Sequence, residues 1–252
     1  MKTMAKNREQ YKSKILKTEL ITPNLRRLTV DIAGLEHIDS NARGGYIKLA
    51  VMRDGEELKR SISIAEVDTE KKVMALDFVN HGGAGPAAQF AREATVNSEI
   101  TFYGPGPRRD VDTTCSEYIF VGDMTAFPAL KAQLELMKER NEAKKCHVIV
   151  EAKSSEDFSY FSKLEDYEHF DFTFIEGNFT ALSLLENLKK TSIDTSKNLS
   201  LWCAGERLAI NEIRGYLREN SELNFEDKYT SSYWQCGLDQ SEHSKLKKTD
   251  VI

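Results

Sequence analysis

Hydrophobic and polar positions alternate with period two through most of the first half of the chain. Leu28, Val30 and Ile32 fall on one face of a strand over 25–32, with polar residues between them. Similar short segments over 12–20, 45–52, 60–67, 72–79 and 100–103 also read as strands, and Asp54-Gly55 predicts a tight hairpin. One helix interrupts them over 85–94. Pro86 opens it at no cost, because the missing N–H would have had no helical acceptor anyway. Six short strands and one helix predict a small closed antiparallel barrel.

After Gly104-Pro105-Gly106-Pro107 the pattern changes. Apolar runs over 117–121, 146–152, 170–175 and 199–204 alternate with helical periodicity over 127–141, 182–190 and 206–218. A last strand over 228–234 and a terminal helix over 239–247 follow. Strands alternating with helices predict a parallel sheet covered on both faces, with ligands outside the carboxyl ends of its strands. The expected organisation is therefore a barrel domain, residues 1–112, and an α/β domain, residues 113–252. The corners at Gly122-Asp123, Lys153-Ser154 and Ala204-Gly205-Glu206 become the places to watch.

Composition narrows the functional classes. A formal charge of −5 over 252 residues argues against a dedicated nucleic-acid binder. The basic start MKTMAKNREQYKSK has no apolar run behind it, and no segment reaches the length of a membrane span. Cys115, Cys146, Cys203 and Cys236 are widely spaced, which suggests neither a zinc site nor a disulfide framework. A soluble cytoplasmic protein with reduced thiols is expected. No G-x-S-x-G elbow, Walker loop or H-E-x-x-H is present, so a bound organic cofactor is the natural carrier of any chemistry.

The stretch from Val73 to Ala94 carries the first chemical signal. Asn80-His81-Gly82-Gly83 breaks a strand, and Gly85-Pro86 opens a helix whose first side chains are small. Exposed amides at the positive end of a helix dipole suit an anion, here the diphosphate of a nucleotide on the amides of Ala87 and Ala88. Gly83-x-Gly85-x-x-Ala88 also spells a Rossmann fingerprint, but the next strand ends in Gly104-Pro105-Gly106 with no acid at its tip. That argues against a first Rossmann strand. Further on, Arg60-Ser61-Ile62-Ser63 lies in a strand. Alternation puts Arg60 and Ile62 on one face, Ser61 and Ser63 on the other. An arginine suits a phosphate, and a small hydroxyl suits a flavin edge. At the second corner, Gly122-Asp123-Met124-Thr125 reads either as a nucleotide-type turn or as a plain helix cap.

Taken in order, Arg60-Ser61-Ile62-Ser63, His81-Gly82-Gly83-Ala84-Gly85-Pro86-Ala87-Ala88-Gln89-Phe90-Ala91, Gly104-Pro105-Gly106, Gly122-Asp123-Met124-Thr125-Ala126-Phe127-Pro128-Ala129, Trp202-Cys203-Ala204-Gly205-Glu206 and Tyr233-Trp234 form a set. The set resembles the siderophore-interacting proteins, flavin-dependent ferric-siderophore reductases of the ferredoxin-reductase-like superfamily. Their pattern runs R-x-Y-T/S, H-x-x-x-G-P-A-S-x-W-A, G-P-G, G-D-E-T-A-L-P-A, W-x-A-G-E and Y-W. It is the ordered set, spanning nearly the whole chain, that is specific.

The resemblance implies FAD in the barrel and NADH or NADPH as hydride donor. Arg60, Ser61, Ile62 and Ser63, with the strand end Asp77, Phe78 and Val79, are implied along the flavin. His81, Gly83, Gly85, Pro86, Ala87 and Ala88 are implied around the diphosphate. Asp123, Thr125 and Ala126 are implied near the adenine end, with Tyr233 and Trp234 closing over the flavin region. Gly122, Trp202, Ala204, Gly205 and Glu206 are implied for the nicotinamide nucleotide. The chain departs from the pattern at Ile62, where an aromatic usually covers the ring, at Ala88 in place of a hydroxyl residue, and at Phe90 in place of tryptophan. The substrate is implied to be a ferric siderophore, drawn in by basic groups. Lys48, which shares a strand face with Tyr46, is one; Arg109 and Lys247 are others.

The expected activity is thus an NAD(P)H-dependent ferric-siderophore reductase acting as a monomer, with no nucleic-acid partner and no membrane insertion. A general flavin or ferredoxin-type reductase on the same fold, or a non-catalytic flavoprotein that binds ferric chelates, remains the alternative. Choice of nicotinamide falls on the corner 151–156. There Lys153 and two serines favour a 2′-phosphate, while Glu151 and Glu156 oppose it.

Overall fold

The computed structural model describes residues 9–53, 55–80, 85–177, 179–220, 223, 225–237 and 246. The chain divides into two compact units, Met1–Ile21 with Leu25–Arg109, and Thr22–Asn24 with Asp110–Ile252.

In the first unit, β1 (Gln10–Thr22), β2 (Leu25–Asp31), β3 (Tyr46–Arg53), β4 (Glu56–Asp68), β5 (Val73–Val79) and β6 (Glu99–Gly106) close into a barrel in the order β1-β2-β5-β4-β3-β6. The ladders β1–β6, β2–β5, β3–β4, β3–β6 and β4–β5 are antiparallel. Period-two alternation builds the interior. Leu28, Val30, Ile32, Ile47, Leu49, Ile64, Met74, Leu76, Ile100 and Phe102 are buried together, and polar neighbours face out. Helix α1 (Pro86–Glu93) joins this core through Ala91, with Ala87 and Phe90 packed at its edge. The strands run longer than the alternation suggested. The added end of β1 extends the pairing and the packing: Gln10 and Tyr11 lie opposite Tyr103 and Phe102 of β6, and Tyr11 packs on the core.

The second unit is a parallel five-stranded sheet ordered β11-β10-β7-β8-β9, built from β7 (Glu117–Asp123), β8 (Lys145–Ala152), β9 (Phe170–Glu176), β10 (Leu199–Glu206) and β11 (Phe225–Trp234). Its ladders are parallel throughout. Helices α2 (Phe127–Glu139), α3 (Ser183–Lys190) and α4 (Arg207–Glu219) connect them. Leu184, Leu185 and Leu188 of α3 and Ile210, Ile213 and Leu217 of α4 pack against Ile119, Val121, Ile149, Leu201 and Cys203. The chain runs from β7 outward to β9, then returns to β10 on the other side of β7. The strand order therefore reverses between β7 and β10, and the carboxyl ends of those two strands form the topological switch point.

Two elements escape the periodicity reading, a 3-10 helix at Ser40–Ala42 and a longer one at Ser155–Phe161. The buried Phe158, Tyr160 and Phe161 of the longer one are fixed by partners far along the chain: Phe161 lies 4.8 Å from Phe127 and 5.6 Å from Phe172, and Phe158 lies 4.5 Å from Phe174. The helix expected over 239–247 lies almost wholly outside the described residues. Among the described residues no helix is long and apolar enough to cross a membrane.

Candidate functional site

In the barrel, β4 changes partners halfway along. Arg60 to Ser63 pair with β3, as Arg60↔Leu49, Ser61↔Lys48, Ile62↔Ile47 and Ser63↔Tyr46. The β4–β5 ladder spans only Ile64 to Asp68 against Val73 to Leu76. Beyond it, Asp77, Phe78 and Val79 pair with Arg27, Arg26 and Leu25 of β2. Among the described residues the two strands thus part at Ser63 and Asp77, leaving a seam between two strand edges. Backbone N–H and C=O groups along such edges demand partners. A flat heteroaromatic with alternating donors and acceptors around its rim can supply them.

The chain beyond β5 leads to α1. Gly85 caps it in an extended conformation with no side-chain bond, and Pro86 occupies the first turn. The amides of Ala87 and Ala88 have no acceptor within the helix, while Gln89 N–H donates to the Gly85 carbonyl at 2.9 Å. Small side chains leave those amides approachable, which suits a diphosphate. An open seam followed by an uncapped helix start fits the ring and phosphates of FAD. His81 and Gly83, also expected here, lie outside the described residues.

Burial fixes where several of the expected side chains lie. Phe78 lies in the barrel core, and Ile62 packs against it from the edge of the seam. The Asp77 carboxylate is fully buried in a fork with Arg27, Nε to Oδ1 at 2.7 Å and Nη2 to Oδ2 at 2.8 Å. Arg27 reaches Glu66 on its other side, also at 2.7 Å. Asp77 and Phe78 therefore shape the seam from behind, and their backbone is what faces it. Ser61 is exposed and accepts a 2.6 Å hydrogen bond from Lys48 Nζ, which lies 5.5 Å from the Tyr46 ring. Lys48, Ser61 and Tyr46 thus form one outward cluster on neighbouring strands. Arg109 is exposed at the end of this unit, and Lys247 lies outside the described residues.

In the second unit, Asp123 ends β7 at 1% exposure. Its Oδ1 accepts from Thr125 N–H at 2.8 Å and Thr125 Oγ1 at 2.5 Å. Its Oδ2 accepts from Glu206 N–H at 2.7 Å and Trp234 Nε1 at 2.8 Å. Burial pushes the carboxyl's pKa up, and these donors pull it back. One carboxylate therefore ties together the carboxyl ends of β7, β10 and β11. Gly205 permits this: φ is +156°, and a Cβ there would lie 2.6 Å from Asp123 Oδ2. Thr125 does not cap α2, since Ala126 stands at that position without a side-chain bond.

The neighbouring residues are equally committed. The Glu206 carboxylate caps α4 through the amides of Leu208 and Ala209, filling a helix start that would otherwise take an anion. Trp202 is 2% exposed, in register with Phe120 and Tyr229, with its ring 5.5 Å from that of Tyr229. Ala126 and Ala204 are fully buried. Gly122 allows close packing, because a Cβ there would sit 2.9 Å from that of Ala126. Asp123, Ala126, Trp202, Ala204 and Glu206 thus have no side chain open to a nucleotide; what they offer at the switch point is backbone. Tyr233 and Trp234 are half-buried, and the Trp234 ring meets Phe179 edge-on at 6.1 Å. Burial, then the nearby Tyr229, push the Tyr233 phenol well up. The sequence reading missed Arg27 and Gly177, whose positions matter only through Asp77 and Glu151 on other strands.

Comparison with known proteins agrees with both units. A family model described as siderophore-interacting protein matches residues 115–237, and one described as siderophore-interacting FAD-binding domain matches residues 53–109. The chain is 24% identical over 243 residues to a ferric acinetobactin reductase of Acinetobacter baumannii, covering 95% of this chain and 83% of that protein. It is also 24% identical over 245 residues to the ferric vibriobactin reductase ViuB of Vibrio cholerae, covering 89% of each. The solved siderophore-interacting protein of Acinetobacter baumannii superimposes with a TM-score of 0.82 at 24% identity, over 96% of both chains.

Proposed function

Because the chain belongs to the siderophore-interacting protein family, we propose that it is an FAD-dependent ferric-siderophore reductase drawing electrons from a reduced nicotinamide nucleotide. Residues 1–112 form the FAD domain and residues 113–252 the nicotinamide-nucleotide domain. The observation that carries the reading is the β4–β5 seam leading to the uncapped start of α1, within and beside the stretch matched as FAD-binding. The related reductases named for acinetobactin and vibriobactin support a ferric siderophore as substrate.

Each part of the chain has a task. The strand edges of Arg60–Ser63 and Asp77–Val79 hold the ring rim by backbone hydrogen bonds, with the buried Arg27–Asp77 fork keeping the seam in shape. The amides of Ala87 and Ala88 hold the diphosphate, and Arg60 adds a charge-assisted contact to it. Backbone around Gly122 and Gly205 receives the nicotinamide nucleotide at the switch point. Lys48 and Arg109 draw in an anionic chelate. Bound FAD supplies the conversion of a two-electron hydride into single electrons. By balance, one reduced nicotinamide releases one proton and turns two Fe(III) into Fe(II). Ferrous iron is held less tightly by hard oxygen ligands and leaves the chelate. No side chain need act as acid or base at the metal. The donor makes the cytoplasm the site of action, and the protein works as a monomer.

Lys48→Ala tests the substrate side. It removes the cation but leaves the β3 backbone pairing. The rate of ferric-chelate reduction should fall roughly tenfold, with a steeper loss at low salt, and reduction by the nicotinamide should hold within about twofold. Equal loss in both half-reactions would remove Lys48 from the substrate site.

A further inference from the structure

In a parallel nucleotide-binding sheet, the carboxyl end of the second strand meets the adenosine ribose. An acid there accepts from the 2′-hydroxyl, and a basic group there donates to a 2′-phosphate. In this unit the second strand is β8, and its terminal acid is Glu151. That carboxylate turns inward at 1% exposure. Its Oε1 accepts from Phe179 N–H at 2.9 Å and its Oε2 from Ser183 Oγ at 2.6 Å. Gly177 makes room, because a Cβ there would lie 2.5 Å from Glu151 Oε1. Glu151 holds the β9–α3 connection and cannot meet a ribose.

The surface at this corner is the turn after β8, where Lys153, Ser155 and Glu156 face solvent. A phosphate would need N–H donors, and every amide from 154 to 157 is committed. Ser154 N–H donates to Asp157 Oδ2 at 3.1 Å, and Ser155 N–H to Glu176 Oε2 at 3.1 Å. Glu156 N–H donates to Ser154 Oγ at 3.3 Å, and Asp157 N–H to the Ser154 carbonyl at 3.0 Å. Glu176 is the last residue of β9, exposed, and in register with Ala152. Glu156 and Glu176 thus place two exposed carboxylates at the turn that carries Lys153, while the Asp157 carboxylate is buried and taken up by Thr22, Asn24 and Ser154. The two serines that might have welcomed a phosphate have spent their amides on carboxylates.

We infer that this corner selects NADH over NADPH, with Glu176 as the specificity-determining residue. Its carboxylate accepts from a ribose 2′-hydroxyl and repels a 2′-phosphate. The inference rests on the reading that a reduced nicotinamide binds at the carboxyl ends of these strands. The ligand comes from that reading, and the corner supplies only the discrimination.

The test follows anaerobic flavin bleaching by NADH and by NADPH, with calorimetric binding of ADP and of 2′,5′-ADP to the same protein. Glu176→Gln is compared with wild type, since it keeps an oxygen for the Ser155 amide and removes the charge. NADH should be preferred at least about tenfold in kcat/KM, because like charges placed together are strongly disfavoured. ADP should bind more tightly than 2′,5′-ADP. Glu176→Gln should narrow both gaps at least about threefold, chiefly by improving the 2′-phosphorylated ligand. Equal or better use of NADPH by the wild type, or gaps unchanged in Glu176→Gln, would overturn the inference while leaving the reductase reading intact. If neither nucleotide bleaches the flavin and neither fragment binds, the donor reading falls and the inference falls with it.

Discussion

Asp123→Asn measures what the buried carboxylate at the switch point contributes. In the wild type two oxygens accept from four donors, the amide and hydroxyl of Thr125, the Glu206 amide and the Trp234 indole. An asparagine has one oxygen and one NH2. With the oxygen toward Thr125, the NH2 faces two N–H donors. With the oxygen toward Glu206 and Trp234, the NH2 can donate to a rotated Thr125 hydroxyl, and only the Thr125 amide is left facing a donor. The second arrangement costs less and should be adopted. It leaves one buried amide unsatisfied, about 1–3 kcal/mol, and turns charge-assisted bonds into ordinary ones. Relief from burying a charge offsets part of this, for a net loss of about 2–4 kcal/mol. Both tryptophans, Trp202 and Trp234, lie in the second unit, so urea unfolding followed by tryptophan fluorescence reports on it directly. Trp234→Phe alone should cost about 1.5–3 kcal/mol as a lost bond to a charged acceptor. In a double-mutant cycle the two changes should couple by about 1–2 kcal/mol. A cost below about 0.5 kcal/mol for Asp123→Asn, or simple additivity with Trp234→Phe, would refute the tie between the three strand ends.

Other consequences follow from burial. Arg27→Ala should destabilise the barrel by about 3–5 kcal/mol, because it removes both bonds of the fork from the fully buried Asp77 carboxylate, whereas Glu66→Ala, on the exposed side of Arg27, should stay within about 0.5 kcal/mol. Thermal unfolding of the two variants compares these directly, and similar losses would contradict the assignment. Cys115, Cys146 and Cys203 are buried with thiol pKa values pushed up chiefly by that burial, while Cys236 is exposed. A disulfide reagent at neutral pH should therefore find one fast thiol in the native protein and all four after unfolding; more than one fast thiol would show that the cores are looser than described.

Much of the fold was written locally. Leu28, Val30 and Ile32 announce a half-buried strand, and the apolar runs of β7, β8 and β10 announce a sheet covered on both faces. The helix start at Pro86 was also visible. The site was legible in outline, because Gly85-Pro86 and Gly122-Asp123 are local signals. What each residue does there was not. Gly-Asp-x-Thr reads as a helix cap, yet two of the Asp123 donors come from 83 and 111 residues further on. Asp77 looks like a ligand-facing acid until Arg27 arrives from a strand 50 residues earlier. The seam depends on β4 leaving β5 while staying with β3, and the Glu176 carboxylate takes the amide of Ser155, 21 residues before it. Side-chain type and spacing identify strands and corners. Pairing across the fold decides which polar groups are left for a ligand.

The central claim is tested most directly by an anaerobic absorbance record of the purified protein loaded with FAD. A reduced nicotinamide is added first, then a ferric siderophore with a ferrous trap. The account predicts a yellow protein that bleaches with the nucleotide and regains its colour with the chelate, yielding two trapped Fe(II) per nucleotide oxidised. A protein that takes up no FAD, or one whose bleached flavin ignores the ferric chelate, would contradict it.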